Sequence, residues 1–391
     1  MYKQFNSNLS TLILTFVLSF IVFIISPAYV SASELSVPEN ESSQLTIKKL
    51  YSSVVALPVF HVDKVNSELI SYIPHKKKYI VARDLRIQEN LWRVKLKGQL
   101  VYSPVADGEY VCYVLDNAAA GCLSRADGST VWNKNISTLP ASAPIIAGDQ
   151  LIVSGANSRI YAFELGSGEY IWSYGYKSHQ NVIERDGLAP FYFDNAVCNI
   201  FDKDMLVCLD LHSGSELWRA EVGSKYNKDT AFIPEVVIDN YREEIILTSQ
   251  EGSVVSYSMK DGQVKWTLKL LKAIALDIRE DRLAILSDKN IVYYDLLNKK
   301  ELWHILDIEG HNTNIAIIDK AVIVFTTVDY LPLNIERFRK SVSNVSSYDI
   351  ANGKEIISMN TKHLILSSIF TTENDLYFLG SKGKFLRLNF E

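Results

Sequence analysis

The chain has 391 residues and six Trp, and every Trp closes a variant of one phrase. The phrase is DLHSGSELW at residues 210–218, ELGSGEYIW ending at Trp172, SMKDGQVKW ending at Trp266 and DLLNKKELW ending at Trp303. Gly stands four residues before Trp132, Trp172, Trp218 and Trp266, and Asp eight before Trp92, Trp218 and Trp303. A seventh copy, YDIANGKEII, carries Asp349 and Gly353 and puts Ile357 in the Trp slot. The steps from residue 92 to residue 357 are 40, 40, 46, 48, 37 and 54 residues. A period of about 40–45 with short strands predicts a β-propeller, one four-stranded blade per repeat.

The strands are legible inside one repeat. LIVSG and RIYAFE are β-rich runs separated by Ala156-Asn157-Ser158, and EYIW follows the turn Gly166-Ser167-Gly168. Such runs separated by Gly, Asn and Ser are hairpin signals. The recurring phrase is then the end of a third strand, a turn, and a fourth, outer strand carrying Trp. A ring there buries ~150–250 Å2 between neighbouring blades. Third strands are expected to end at Asp84, Ser124, Glu164, Asp210, Ser258, Asp295 and Asp349, with an eighth at Asn389. That last copy stops before its outer strand, whereas Leu45 to Leu50 alternates with period two and has no partner. The expectation is an all-β, eight-bladed propeller closed by this N-terminal strand, with seven blades as the alternative.

Lys3 is the only charged residue before residue 34, an apolar run spans Leu12 to Ile25, and Pro27 and Val30-Ser31-Ala32 follow. These are the three regions of a signal peptide, expected over residues 1–32 with cleavage after Ala32. Residues 33–44 are polar and read as a linker, leaving 45–391 as the propeller domain. The run is short for a membrane span, and no Cys lies near the cleavage site to carry a lipid. With 48% hydrophobic and 22% charged residues the chain can bury a large core. Net charge is −5 with no extended basic cluster, which argues against nucleic acid as a partner.

Cys112 and Cys198 lie 20 residues before Trp132 and Trp218, and Cys122 and Cys208 lie 10 before. Each pair straddles the hairpin of second and third strands in the same register. Facing residues of antiparallel strands have Cα atoms ~4.5–5.5 Å apart, within disulfide reach. Disulfides Cys112–Cys122 and Cys198–Cys208 are expected, with free buried thiols as the alternative.

Motifs for catalysis are missing: no HExxH, GxSxG, Walker loop, complete GxGxxG or EF-hand loop occurs. The seven His show no ligand spacing, His212 and His304 read as solvated surface, and Asp202/Asp204 and Glu243/Glu244 read as turn residues. No cofactor, metal or small-molecule substrate is expected. Two stretches break the economy of the repeat, and long connections are often functional. One runs from Ser173 to Pro190 and includes Val182, Ile183 and Arg185; the other lies between Phe325 and Val345 and holds LPLNIERFRK at 331–340. The first is a partner site or a longer surface connection; the second is a partner site or a lid packing on the propeller rim.

The repeats resemble the PQQ-like propeller superfamily, whose blades end in Ala-x-Asp, a Thr/Ser-Gly turn and Trp. Within it the chain is similar to the BamB family of outer-membrane assembly factors. The likeness covers nearly all of the exported part and includes the Ile357 substitution and the incomplete last repeat. In that family the loop after the third Trp carries apolar residues, Arg-Gly, a small residue and Pro, and contacts a POTRA domain of BamA. Here Val182-Ile183-Glu184-Arg185-Asp186-Gly187-Leu188-Ala189-Pro190 matches, with one residue extra between Arg and Gly. The resemblance thus implies Val182, Ile183 and Arg185 as partner contacts. It adds Asp229, which resembles an acidic position of the adjacent loop. The implied function is a non-enzymatic periplasmic scaffold at the outer membrane, partnered by a BamA-like protein and by unfolded outer-membrane proteins. Family members are lipoproteins as a rule, and the lipid-bearing Cys is not seen here.

Two other readings stand beside it. One is a quinoprotein dehydrogenase with PQQ and Ca2+, whose adjacent Cys-Cys pair has no counterpart in this chain. The other is an exported propeller with an unrelated partner, for which Asn40, Asn135 and Asn344 are glycosylation acceptor sequons.

Overall fold

The computed structural model describes residues 45–52, 61–65, 68–75, 78–84, 87, 89–175, 188–201, 205–222, 235–249, 252–270, 272–287, 289–308, 310–330, 340–361, 370–371, 375–380 and 384–390. Side chains are described between residues 78 and 360, apart from 311–313 and 328–342. Residues 43–391 form one compact unit. The expected signal peptide and linker lie outside the described residues.

The described elements are all strands, and they form eight four-stranded antiparallel sheets. Seven are built from four consecutive strands. The Trp172 sheet runs Ile145–Ala147, Gln150–Gly155, Arg159–Glu164, Tyr170–Gly175. Its second strand is buried throughout, whereas Tyr170 and Ile171 of the fourth are exposed. Burial therefore falls from the inner to the outer strands, the radial gradient of a propeller blade. The eighth sheet takes three strands from the C-terminal repeat, and its outer place is held by Leu45–Ser52, paired from Leu45↔Phe390 to Ser52↔Lys384. Third strands end at Asp84, Ser124, Glu164, Asp210, Ser258, Asp295 and Asp349, as expected.

The turn chemistry explains the phrase. The Asp210 carboxylate accepts the backbone N–H of Ser213 at 2.8 Å, and that of Asp295 accepts the N–H of Asn298 at 2.8 Å. Such side-chain caps hold a tight turn. Gly214 follows at φ 67°, a left-handed conformation that glycine adopts without penalty.

Each Trp is aimed by a β-bulge. In the Trp172 sheet, Ala162 pairs with Trp172 but Phe163 pairs with Tyr170, so Ile171 is the extra residue. The same slip recurs beside Trp92, Trp132, Trp218, Trp266, Trp303 and Ile357. Bulges bend a strand and re-aim its side chains. The extra residues Leu91, Val131, Ile171, Leu217, Lys265, Leu302 and Ile356 are all exposed.

Five rings then reach the next blade. Trp92, Trp132, Trp172, Trp218 and Trp303 donate Nε1–H to the carbonyls of Arg125, Leu165, Leu211, Met259 and Ile350 at 2.8–3.0 Å. Each of these rings also lies on the turn Gly of the blade it enters: Gly128, Gly168, Gly214, Gly262 and Gly353 respectively. The repeat is thus one half-joint per blade, completed by its neighbour.

Trp266 departs from this. The next blade has Lys299 in the glycine slot, at φ 51°. Trp266 donates within its own blade, to Glu244 Oε2 at 2.8 Å, and is the only half-buried ring of the six. The polar link across this seam comes instead from Arg242, which pairs with Asp239 Oδ2 at 2.7 Å and reaches across to Asp281 and to the Glu280 carbonyl at 3.1 Å.

Both disulfides are present, Cys112–Cys122 and Cys198–Cys208, each with Cα atoms 4.1 Å apart. Each joins directly paired residues of second and third strands, as the register implied.

Candidate functional site

In an antiparallel four-stranded blade, the link from a fourth strand to the next first strand emerges on the same face as the hairpin between second and third strands. Residues 176–187 link Tyr170–Gly175 to Phe191–Phe193, and residues 223–234 link Glu216–Glu221 to Val236–Asp239. Both therefore open on one face, from consecutive blades. Val182, Ile183, Arg185 and Asp229 lie within these links and outside the described residues. The exits are anchored: Leu188 and Phe191 pack against the core that holds Phe193, Trp218 and Tyr257, and Val222 is buried in it. The backbone thus leaves and re-enters a rigid wall at defined points, which is how loops carry binding residues on a scaffold.

The second interruption is a correction. The stretch between Phe325 and Val345 is not a loop for most of its length. Ala321–Tyr330 and Lys340–Asp349 are ten-residue strands paired up to Tyr330↔Lys340. Alternation of β-prone residues (Thr326, Val328, Tyr330) on the second strand extends the ladder past the usual blade. Residues 331–339 lie outside the described residues. This hairpin joins second and third strands, so it stands on the same face as the two links.

The acids sort by environment. Asp202 and Asp204 lie outside the described residues. Glu243 is a turn residue at φ 53°, but Glu244 is not: it starts a strand and is buried. Burial pushes its carboxyl up, yet Lys265 at 2.9 Å, Ser256 at 2.7 Å and Trp266 outweigh this and hold it below the usual range. Its pattern of partners is that of a structural ion pair. Asp277, on the first strand Ala273–Arg279, accepts the backbone N–H of Ile317 from the following blade at 2.5 Å. Withdrawal from bulk water raises Asp277 to about 6. Glu235 keeps an exposed edge, but surrounding protein and then the Asp277 charge push it up to about 7. Among the described residues no group of three or more His, Cys, Asp or Glu could hold a metal. His212 and His304 are exposed. Asn344 lies within a strand, its amide donating to Ser358 at 3.1 Å.

Sequence reasoning missed Arg242, Glu244 and the Glu235/Asp277 pair. Only the Arg242 seam had a visible signal, the Lys299 that replaces glycine before Trp303.

A family model described as "Outer membrane protein assembly factor BamB" matches residues 76–305. The outer membrane protein assembly factor BamB of Yersinia pestis is 27% identical over 201 residues, 49% of this chain and 51% of that protein. The chain thus spans about half the length of the curated relatives it matches. The crystal structure of BamB from Moraxella catarrhalis aligns with a TM-score of 0.66 at 16% identity, over 88% of this chain and 98% of that one. The quinohemoprotein alcohol dehydrogenase of Comamonas testosteroni aligns with a TM-score of 0.61 at 11% identity, over 88% and 76% of the two chains. At such identities the structures share the propeller fold, and fold alone does not carry function.

Proposed function

The chain belongs to the BamB family of outer-membrane protein assembly factors, and from that premise we propose that it is a non-enzymatic periplasmic scaffold that docks on a BamA-like protein to assist β-barrel assembly. The observation that carries this is the family match over residues 76–305. In this reading residues 1–32 direct export and the eight sheets close into a ring through the Leu45–Ser52 strand, whose pairing with Lys384–Phe390 leaves no open stack. The docking face is the one bearing the links 176–187 and 223–234, with Val182, Ile183 and Arg185 contacting a POTRA domain and Asp229 flanking them. An Arg between aliphatic residues is a common energetic anchor of an interface. The same face carries the elongated hairpin, which widens the surface open to a partner or an unfolded outer-membrane protein.

Crosslinking and pull-down from the native envelope, wild type beside Arg185→Glu, tests this. Charge reversal at an anchor costs about 2 kcal/mol or more, over tenfold in binding. Recovery of a POTRA-bearing protein with wild type and its loss with the variant support both function and site. Equal recovery with both moves the site elsewhere. Absence of any POTRA-bearing protein overturns the function.

A further inference from the structure

The two disulfides sit on particular faces of their blades. Cys112 and Cys122 are fully buried in a cluster with Trp132, Leu151, Val153 and Phe163. Cys198 and Cys208 are fully buried with Trp218, Ile245, Leu247 and Tyr257. In both cases the sulfur-bearing face is covered by the sheet that follows in sequence. Leu151 comes 29 residues after Cys122, and Ile245 comes 37 after Cys208. The four Cys are also paired in sequential order, one of three possible connectivities.

We propose that both disulfides are introduced by a disulfide-bearing thiol oxidant acting on the incomplete chain, each hairpin being oxidised before its covering blade docks, and that no isomerisation step is needed. The chemistry is thiol–disulfide exchange. One Cys thiolate attacks the oxidant's disulfide and displaces one of its sulfurs as a thiolate. The second Cys thiolate then attacks the mixed disulfide, closing the protein disulfide and releasing the oxidant's other sulfur. The chain gives up two electrons and two protons, and the oxidant becomes a dithiol.

Access sets the order. Exchange needs an oxidant sulfur in line with the attacking thiolate, and a fully buried sulfur admits none. A separation of 10 residues closes readily in an isolated hairpin. When a chain emerges from its N-terminus, both thiols of a pair are out while the covering strands are still behind them. The second pair arrives 76 residues after the first closes, counting from Cys122 to Cys198, so sequential pairing follows emergence.

The test uses the full chain, reduced and unfolded in urea, then diluted to native conditions. Glutathione disulfide is added either at once or after refolding, and pairing is read by alkylation and peptide mass spectrometry. Early oxidant should give Cys112–Cys122 and Cys198–Cys208. Late oxidant should act at least about tenfold more slowly if native Trp emission has returned. Failure of the reduced chain to regain that emission supports the same order, because oxidation then precedes folding outright. A folded, reduced chain oxidised as fast as the unfolded one overturns the proposal, and so does early pairing dominated by Cys122–Cys198. Neither result bears on the BamA-like partner.

Discussion

Trp172 lies on Gly214 so closely that a Cβ built there would stand 2.5 Å from two atoms of the indole. The same Gly214 has φ 67°, and the Trp172 Nε1–H donates to the Leu211 carbonyl three residues earlier. Gly214→Ala therefore meets two costs at once, left-handed backbone and an immovable ring. Together they should destabilise the fold by about 2–5 kcal/mol. Gly148→Ala separates the two: φ is 58°, but the nearest atom is 3.7 Å away. It should cost only about 1 kcal/mol. Urea unfolding followed by Trp emission measures both, and equal losses would remove the ring from the explanation.

Trp-to-Phe substitution should distinguish the joints. Trp172→Phe keeps a ring but leaves the buried Leu211 carbonyl without its donor, a loss of about 1–3 kcal/mol. Trp266→Phe removes a donor from Glu244, which retains Lys265 and Ser256. The expected loss there is about 1 kcal/mol or less. Comparable losses at both positions would contradict the difference drawn between the Trp172 joint and Trp266.

At that seam an ionic link adds to an apolar cluster that joins Ile246 and Val254 to Leu283 and Ile285 of the next blade. Arg242 is mostly buried, with 13% of its side chain exposed, and Asp239 is buried beside it. Arg242→Ala strips Asp239 of its charged partner, leaving it the backbone N–H of residue 242, and cuts the reach to Asp281 and Glu280, for a loss of roughly 2–4 kcal/mol. Hydrogen exchange should rise in strands Val264–Leu268 and Ala273–Arg279 on either side. Exchange that rises evenly over all blades would instead mean global destabilisation.

How much of this was legible in the sequence depends on range. The Asp–Gly–Trp phrase encodes local events: a capped turn, a left-handed residue and an outer-strand ring. Their spacing alone located the third-strand ends and aligned both Cys pairs. The bulge before each Trp was not legible, because Leu91, Ile171 or Leu217 reads as an ordinary strand residue until its partner is known. Arg242 and Glu244 were hidden for a similar reason. Their roles depend on Asp281, 39 residues on, and on Trp266, 22 residues on, and the nine-residue phrase spans neither separation. The elongated hairpin is not legible because Asp329 and Pro332 interrupt the apolar pattern, whereas backbone pairing continues to Tyr330.

The carboxylates at the inner strands give the chain a pH signature. Glu235 rises to about 7 from 4.5, and Asp277 to about 6 from 3.8. A carboxyl raised on folding binds more protons in the folded than in the unfolded state. Its stabilising effect is fully present below the unfolded value and is lost as pH rises through the folded one. Stability should therefore fall from about pH 4 to about pH 8 and level off above. Asp210 and Asp295, held low by Ser213 and by Asn298, act oppositely and lose their contribution only at lower pH. The two trends place maximal stability on the mildly acidic side of neutrality. Glu235→Gln with Asp277→Asn removes the first trend, and the Asn carbonyl can still accept the Ile317 N–H. Urea midpoints of wild type should drop between about pH 5 and about pH 8, while those of the double variant stay level. A wild-type midpoint that rises over this range, or a variant that tracks it, would show that these two carboxyls ionise freely in the folded chain.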